Sequence, residues 1–545
     1  MTKQVSQYEQ SKYDVTIMGG GMAGATLALQ LKKSNSELSI AVIDANEFPV
    51  PEAKFKIGES TVDIAGHYLR NVLELKDHLE NQQLPKYGLR FFLPNGDNSD
   101  ISQRVEIGNC KRPNSKSYQI DRGLFENFLH DTLLENNVDF FDSSFVETIS
   151  VANNEDNHQV VVSTKENKTT EFSSRWLIDA SGQAQLLKNQ LELHETVQTD
   201  HFSVWFRVSE KVLINELSDE PEWLNRVSEA ARDLCTNHLL GEGYWIWIIP
   251  LQNGNTSIGI VADAKIHSPK DMLSLPKALE WISEKEPQLG DRLKNCSATA
   301  LDFKKMINFS HGCSQIFSEN RWAITGIAGL FSDPFYSPGS DFIAIANTYI
   351  TDLINRDLAK EDISDRLMRY EKSFYQGFHL LLNTVDGKYG LFAHNLATAS
   401  KILWDATLAW SGLSLIFCND KLTDFELIDA VGEDLFVIGQ LHLTMQQVFT
   451  RWSNTLEDKG VNPSIIVDGT LNFTQRLQNR LPLDLSNDEI IAAIKSNRNV
   501  LCTLACELFS QVEQRDIEDS EVALLVSGFD YQPDIKDELR ALLFQ

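Results

Sequence analysis

The chain has 545 residues, too many for one ordinary core, so two or three domains or subdomains are expected. Hydrophobic residues make up 42% and charged residues 23%, the balance of a globular protein rather than a disordered or membrane one. Forty-nine basic against 77 acidic residues leave a formal charge of −28, which argues against nucleic acid or an anionic membrane as partner, because phosphate binding needs a basic face.

The polar start, Met1 to Lys12, lacks the apolar run of a secretory signal. The seven cysteines are scattered, with only Cys502 and Cys506 close together, and the histidines show no H-x-x-x-H spacing. Reduced structural thiols, a cytoplasmic location and no protein-bound metal are therefore expected.

Tyr13 to Met18 reads as an apolar strand, followed by Gly19-Gly-Gly-Met-Ala-Gly24, a helical stretch, and a second strand, Leu38 to Ile43, ending in Asp44. This is the order strand, G-x-G-x-x-G, helix, strand, acid. Gly19 permits the tight turn, Gly21 lets the backbone approach a pyrophosphate, and Gly24 lets helix and strand pack closely. Met22 and Ala23 open a helix whose N-terminus faces the phosphates, and Asp44 can accept hydrogen bonds from a ribose. By itself the motif does not separate FAD from NAD.

Five further segments follow in chain order. Phe55 to Ser60 reads FKIGES, and Leu84 to Phe92 reads LPKYGLRFF. Ser117 to Leu129 is a strand end leading through Arg122 into an amphipathic helix. Trp176 to Gly182 is a buried strand running through Asp179 into a small-residue turn. Trp245 to Pro250, WIWIIP, fits W-x-W-x-I-P and is good strand sequence. Beyond these, Phe331 to Gly339 reads FSDPFYSPG, which fits F-x-x-P-x-x-S-x-G.

The nucleotide fingerprint, Arg122 and the D-A-S-G turn together resemble the aromatic-hydroxylase group of FAD monooxygenases. Within that group the remaining motifs resemble the flavin-dependent halogenases, nearer the phenol and pyrrole enzymes. The resemblance implies an α/β fold: a Rossmann-type FAD-binding domain, an inserted mixed β-sheet substrate domain and a mostly helical C-terminal region. The expected boundaries are 1–190 and 311–360 for the FAD domain, 191–310 for the sheet domain and 361–545 for the helices. It also implies that Gly19, Gly21, Met22, Ala23, Gly24, Asp44, Glu59, Ser60, Arg122, Asp179, Gly326 and Pro334 surround the cofactor, with Glu59 and Ser60 in a strap along the flavin. Trp245 and Trp247 keep the substrate from reaching the flavin directly.

In that family reduced FAD from a separate flavin reductase, with oxygen and bromide, chloride or iodide, gives hypohalous acid. An essential lysine, matched here by Lys86, then aims it at a small aromatic substrate, free or bound to a carrier protein. Burial favours that role by bringing the ammonium near its titration point. Two positions depart from the family. Tyr336 stands where tryptophan halogenases carry a glutamate, which turns the substrate from free tryptophan toward an activated phenol or pyrrole. Pro338 and Gly339 occupy the halide-binding positions, and proline has no N–H to donate. A monooxygenase on the same fold, or a catalytically silent flavin-binding subunit, are the alternative readings.

From about Glu361 onward apolar residues recur at three- and four-residue spacing, predicting helices over Leu367–Leu382, Leu391–Phe417 and Asp488–Leu508.

Overall fold

A computed structural model describes residues 9–53, 56–153, 156–166, 168–296, 299–455, 464–466, 471–513, 523, 526 and 528–543. The N-terminal strand Glu9–Met18 lies at the centre of the first sheet, because Val15, Ile17 and Met18 are apolar and buried on both faces. The strand order is Phe317–Ser318, Trp322–Ile324, Thr169–Asp179, Glu9–Met18, Ile40–Ile43, Asp139–Phe141. All but the first of these pairings are parallel. Met18 lies beside both Ile43 and Asp179, so the glycine turn and the D-A-S-G turn leave the sheet at the same edge. That carboxyl edge is where open α/β sheets bind their ligands.

A second sheet has eight strands in the order Ala300–Ile307, His201–Val208, Thr256–Asp263, Tyr244–Pro250, Thr236–Gly241, Leu89–Phe92, Glu106–Gly108, Ser464–Ile466. It draws Leu89–Phe92 and Glu106–Gly108 from outside the 191–310 interval, pairing Leu89–Phe92 parallel to Thr236–Gly241. Alternation along Tyr244–Pro250 separates its two faces. Ile246 and Ile248 pack with Trp281 of helix Leu275–Lys285, while Trp245, Trp247 and Ile249 face the main core.

The segment Leu84 to Phe92 forms two strands, divided at Tyr87 and Gly88. Leu84–Lys86 pairs instead with Ser117–Gln119 in a two-stranded ribbon, with Lys86 opposite Ser117. Gly88 has φ +116°, a conformation that lets the chain turn between the two sheets.

Helix Gly339–Leu358 packs on Met22–Ser34, joining the end of the halogenase-like motif to the nucleotide turn. Helices Ser364–Val385, Asn395–Ser411, Phe425–Thr455 and Asn487–Leu508 follow. Ser486 and Glu489 form a capping box at the start of the last of these. The stretch Leu391–Phe417, expected as one helix, is broken twice. A short 3-10 turn, Tyr389–Ala393, precedes Asn395–Ser411, and Gly412 interrupts the path before Leu413–Phe417. One contiguous apolar core runs from Val15 to Leu539, through sheet and helices alike.

Candidate active site

The nucleotide turn has the close approaches its glycines require. A Cβ on Gly19, at φ +114°, would fall 2.2 Å from the Ala180 carbonyl oxygen, and one on Gly24 would fall 1.9 Å from the Gly19 oxygen. Gly326 packs against Ala23 so closely that a Cβ would lie 3.0 Å from that of Ala23. Asp44 accepts from Gly20 N–H at 2.6 Å and Asn46 N–H at 2.7 Å. Asp179 is fully buried, and its carboxylate accepts from Ser181 and Leu187 N–H at 2.9 and 2.8 Å.

Met22 N–H donates to Glu126 at 3.2 Å, and Glu126 is held by Lys56 at 2.9 Å and by Arg122. A carboxylate thus already faces the positive end of helix Met22–Ser34, the end that suits a pyrophosphate. Burial works against ionised Glu126, but the flanking Arg122 and Lys56 outweigh it and hold the carboxyl below its ordinary range.

Of the FKIGES segment, Phe55 lies outside the described residues, and Arg122 holds the part at Ile57 and Gly58. Arg122 Nη1 donates to the Ile57 carbonyl at 2.6 Å, and Gly58 has φ +97°. A Cβ on Gly58 would lie 2.8 Å from that Nη1. Glu59 is buried, with Oε1 2.7 Å from Arg207 Nη2 and no hydrogen-bond partner for Oε2 among the described residues. Arg122 Nε is likewise buried without a partner among the described residues. A buried carboxylate oxygen and a guanidinium N–H both left open beside a glycine cradle fit a polar cofactor such as FAD.

One residue further, Ser60 turns to the opposite side. Its Oγ accepts from Lys86 Nζ at 2.7 Å, lies 2.9 Å from Thr236 Oγ1, and accepts from Ser337 Oγ at 2.9 Å. Lys86 also donates to the Thr61 carbonyl at 2.7 Å. Ser337 is the serine of the FSDPFYSPG stretch, held at φ +58°. Lys86 is fully buried, and burial pushes its ammonium down to about 7, against the opposing pull of Cys235, Asp63 and Asp341.

A cavity of about 1040 Å³ opens beside this cluster, between the motif loop and the C-terminal helices. Lys86 lies just behind its wall, which is formed there by Gly88, Ser117, Tyr336, Pro338 and Asp341. Asp341 was not singled out from the sequence. Its Oδ1 accepts from Ala65 N–H at 2.8 Å, and no hydrogen bond to Oδ2 exists among the described residues. Burial, reinforced by Asp63, pushes its carboxyl up to about 8, while Ala65 N–H and Lys86 oppose the shift. An acid in the first turn of a helix signals only a favourable dipole contact, so nothing local marked it.

Tyr336, also on the cavity wall, donates to Asp405 at 2.7 Å. Lys401 and Gln446 donate to the same carboxylate, the latter at 2.7 Å. Pro338 is the N-cap residue of Gly339–Leu358, where a missing N–H breaks no helical hydrogen bond. Two positions on, the buried Ser340 hydroxyl has no partner among the described residues.

Trp245 and Trp247 share one face of their strand and are almost fully buried. Trp247 lies over Gly259, where a Cβ would be 2.2 Å from the indole. Ring contacts run without a break from Trp247 to Trp245 (5.8 Å), Phe335 (5.3 Å) and Tyr336 (4.5 Å). Trp245 Nε1 donates to Tyr389 Oη at 2.6 Å, and Tyr389 donates to Asp333 at 2.7 Å. Asp333 precedes Pro334 and is 3.1 Å from His201. Burial opposes a charged His201, but the Asp333 hydrogen bond and charge outweigh it and raise its pKa.

The fold is that of a Rossmann-type FAD-binding protein of the aromatic-hydroxylase group, with a large cavity between the motif loop and the C-terminal helices. The sequence model for tryptophan halogenase matches residues 14–99 and 97–379, and the chain belongs to that family. A flavin-dependent halogenase of Dictyostelium discoideum, chlA, is 28% identical over 393 residues, 66% of this chain and 63% of the relative, so just under two thirds of that protein is spanned. A 1H-pyrrole-2-carbonyl-[peptidyl-carrier protein] brominase of Pseudoalteromonas luteoviolacea is 25% identical, covering 65% of this chain and 80% of its own. Among solved structures, halogenase PltM superposes with TM-score 0.62 at 17% identity over 96% of this chain and all of its own. A flavoprotein/dehydrogenase of Cytophaga hutchinsonii gives 0.60 at 18%, over 81% and 99%. At these identities the structural likeness is one of fold.

Proposed function

We propose that this chain is a flavin-dependent halogenase that places bromine or chlorine on an electron-rich phenolic or pyrrolic ring, using Lys86 to aim the halogen. The observation that carries this reading is the joining of Lys86, through Ser60, to Ser337 of the F-x-x-P-x-x-S-x-G stretch, immediately behind the wall of a large cavity. Two relatives named for bromination and chlorination of a carrier-bound pyrrole support the ring class. The working location is the cytoplasm, in keeping with seven cysteines that form no disulfide.

Bound reduced FAD, delivered by a flavin reductase, supplies hypohalous acid from oxygen and halide. The turn Gly19–Gly24, with Met22 and Ala23, holds the pyrophosphate, and Asp44 holds a ribose. Glu59 and Arg122 meet the flavin side of the strap, while Asp179, Gly326 and Pro334 shape the crevice around it. Gly339 N–H and the open Ser340 hydroxyl hold the halide, replacing the donor that Pro338 lacks. Trp245 and Trp247 close the route by which an arene would reach the flavin.

Lys86 hydrogen-bonds the oxygen of hypohalous acid as an ammonium. A π-electron pair of the ring forms the carbon–halogen bond as the oxygen–halogen bond breaks. The departing hydroxide takes a proton from Lys86 and leaves as water. Asp341 passes its proton to the neutral Lys86 and takes the ring proton in its place, which restores both groups.

The test supplies a flavin reductase system, FAD, bromide and either monochlorodimedone or a simple phenol. Bromide-dependent bromophenol is expected, with Lys86→Ala reducing it by ~100-fold or more while retaining FAD. Hydroxylated phenol formed without bromide would make the protein a monooxygenase. FAD binding with no oxygen-dependent turnover of any of these would make it a silent subunit.

A further inference from the structure

Two helices of the C-terminal region carry glycine at interior positions. Gly377 lies within Ser364–Val385, and Gly432 and Gly439 lie two turns apart within Phe425–Thr455. Glycine is the poorest helix former after proline, so an interior glycine calls for a reason. Backbone geometry does not provide one, since none of the three has positive φ. Close packing does not either. A Cβ on Gly377 or Gly432 would meet nothing within 4 Å, and one on Gly439 only Leu380 at 3.9 Å. All three line the cavity beside Lys86. Side chains there would occupy cavity space and touch little else.

That space is far larger than one aromatic ring needs. About 1040 Å³ is at the upper end of the range that encloses whole drug-sized ligands. Acceptors for hydroxyl or N–H groups come from Asp63, Tyr336, Asp341 and Asp405, on the segments that also hold Lys86 or the motif. The C-terminal helices add aliphatic residues, Ile402, Leu408, Leu413, Leu435 and Ile438, interspersed with polar ones such as Ser373, Asn383 and His442. At the opening Phe436 is 64% exposed, beside the solvent-facing Lys372 and Gln376.

We infer that the substrate is a phenol bearing an aliphatic chain of several carbons, its ring at the Lys86 end and its chain along the glycine-faced helices. The ring chemistry rests on the halogenase reading; the chain rests on the cavity alone. Calorimetric titration of the FAD-loaded, non-turning-over protein with 5-alkylresorcinols from methyl to nonyl separates the two. Affinity should rise roughly threefold per methylene until the cavity is filled, as expected for methylenes leaving water. Gly439→Leu and Gly432→Leu should each weaken nonylresorcinol binding at least tenfold, with melting temperatures no lower than wild type. Bromination is measured in parallel on the same series.

Affinity independent of chain length, or nonyl binding undiminished in both leucine variants, would overturn the inference. So would selective bromination of a carrier-bound phenol over every free alkylresorcinol. Bromination of the methyl compound with no gain along the series would sink the chain assignment and leave the halogenase reading standing. Chain-dependent binding without bromination of any member would do the reverse.

Discussion

At Lys86 an ammonium is removed from water with only a hydroxyl, a carbonyl and distant carboxylates to compensate, and its proton affinity falls toward neutrality. Asp341 moves the other way for the same reason, since burial penalises whichever form is charged. The six-residue segment from Ser60 to Ala65 holds both, the lysine through Ser60 and Thr61 and the carboxyl through Ala65 N–H. Asp341→Asn keeps an acceptor for that N–H but cannot take a proton. Halogenation should fall by roughly 100-fold, and a ring-deuterated phenol should then react more slowly than the protiated one, which competition by mass spectrometry would detect. The same variant tests stability. A carboxyl whose folded pKa is raised to about 8 contributes stability that is full below the unfolded value near 4 and is lost as pH rises to 8. Urea midpoints of wild type should drop from pH 5 to pH 7.5 by more than those of Asp341→Asn.

Turns and helix ends do the positioning at the scale of elements. Ser337 in the left-handed region and Pro338 at the N-cap start Gly339–Leu358 with its first N–H groups directed out of the helix. The unpartnered Ser340 hydroxyl lies in that first turn. Ser340→Ala should raise the KM for bromide about tenfold, the loss of one hydrogen bond to a charged group, with FAD affinity unchanged by fluorescence titration. At the other turn, a Cβ on Gly21 would come within 2.7 Å of Lys56 Nζ, above the helix end assigned to the pyrophosphate. Gly21→Val should emerge folded by circular dichroism but without flavin after incubation with FAD, and normal flavin content would contradict the assignment.

Across the whole molecule, the helical region is built into the nucleotide-binding half rather than appended to it. A single apolar core continues from the first sheet into the last helix. Tyr389, between two of those helices, accepts from Trp245 of the second sheet and donates to Asp333 of the motif loop. It also stacks on His201 with ring centroids 4.1 Å apart. Tyr389→Phe should leave Trp245 N–H without its acceptor and Asp333 Oδ2 with His201 alone, and cost about 1–3 kcal/mol in urea unfolding. A loss well under that range would mean the two halves are held together by packing alone.

The nucleotide turn, the W-x-W-x-I-P strand and the FSDPFYSPG stretch were legible because each is local. Backbone close approach, strand alternation and helix starts impose residue types at short fixed spacings, and such spacings survive in a linear string. The resemblance they carry led to Lys86 for the same reason. Asp341 could not be found that way: its partner at Ala65 is 276 residues distant, and its proton affinity depends on what burial places around it. Pro338 lacks an N–H at a position the resemblance gives to the halide; the structure puts it at the N-cap of Gly339–Leu358, where that absence costs the helix no hydrogen bond. The interior glycines of the C-terminal helices cost helix propensity with no local sign of a use. Only the packed molecule shows the space they leave open, because a cavity is a property of surfaces brought together and of no segment alone.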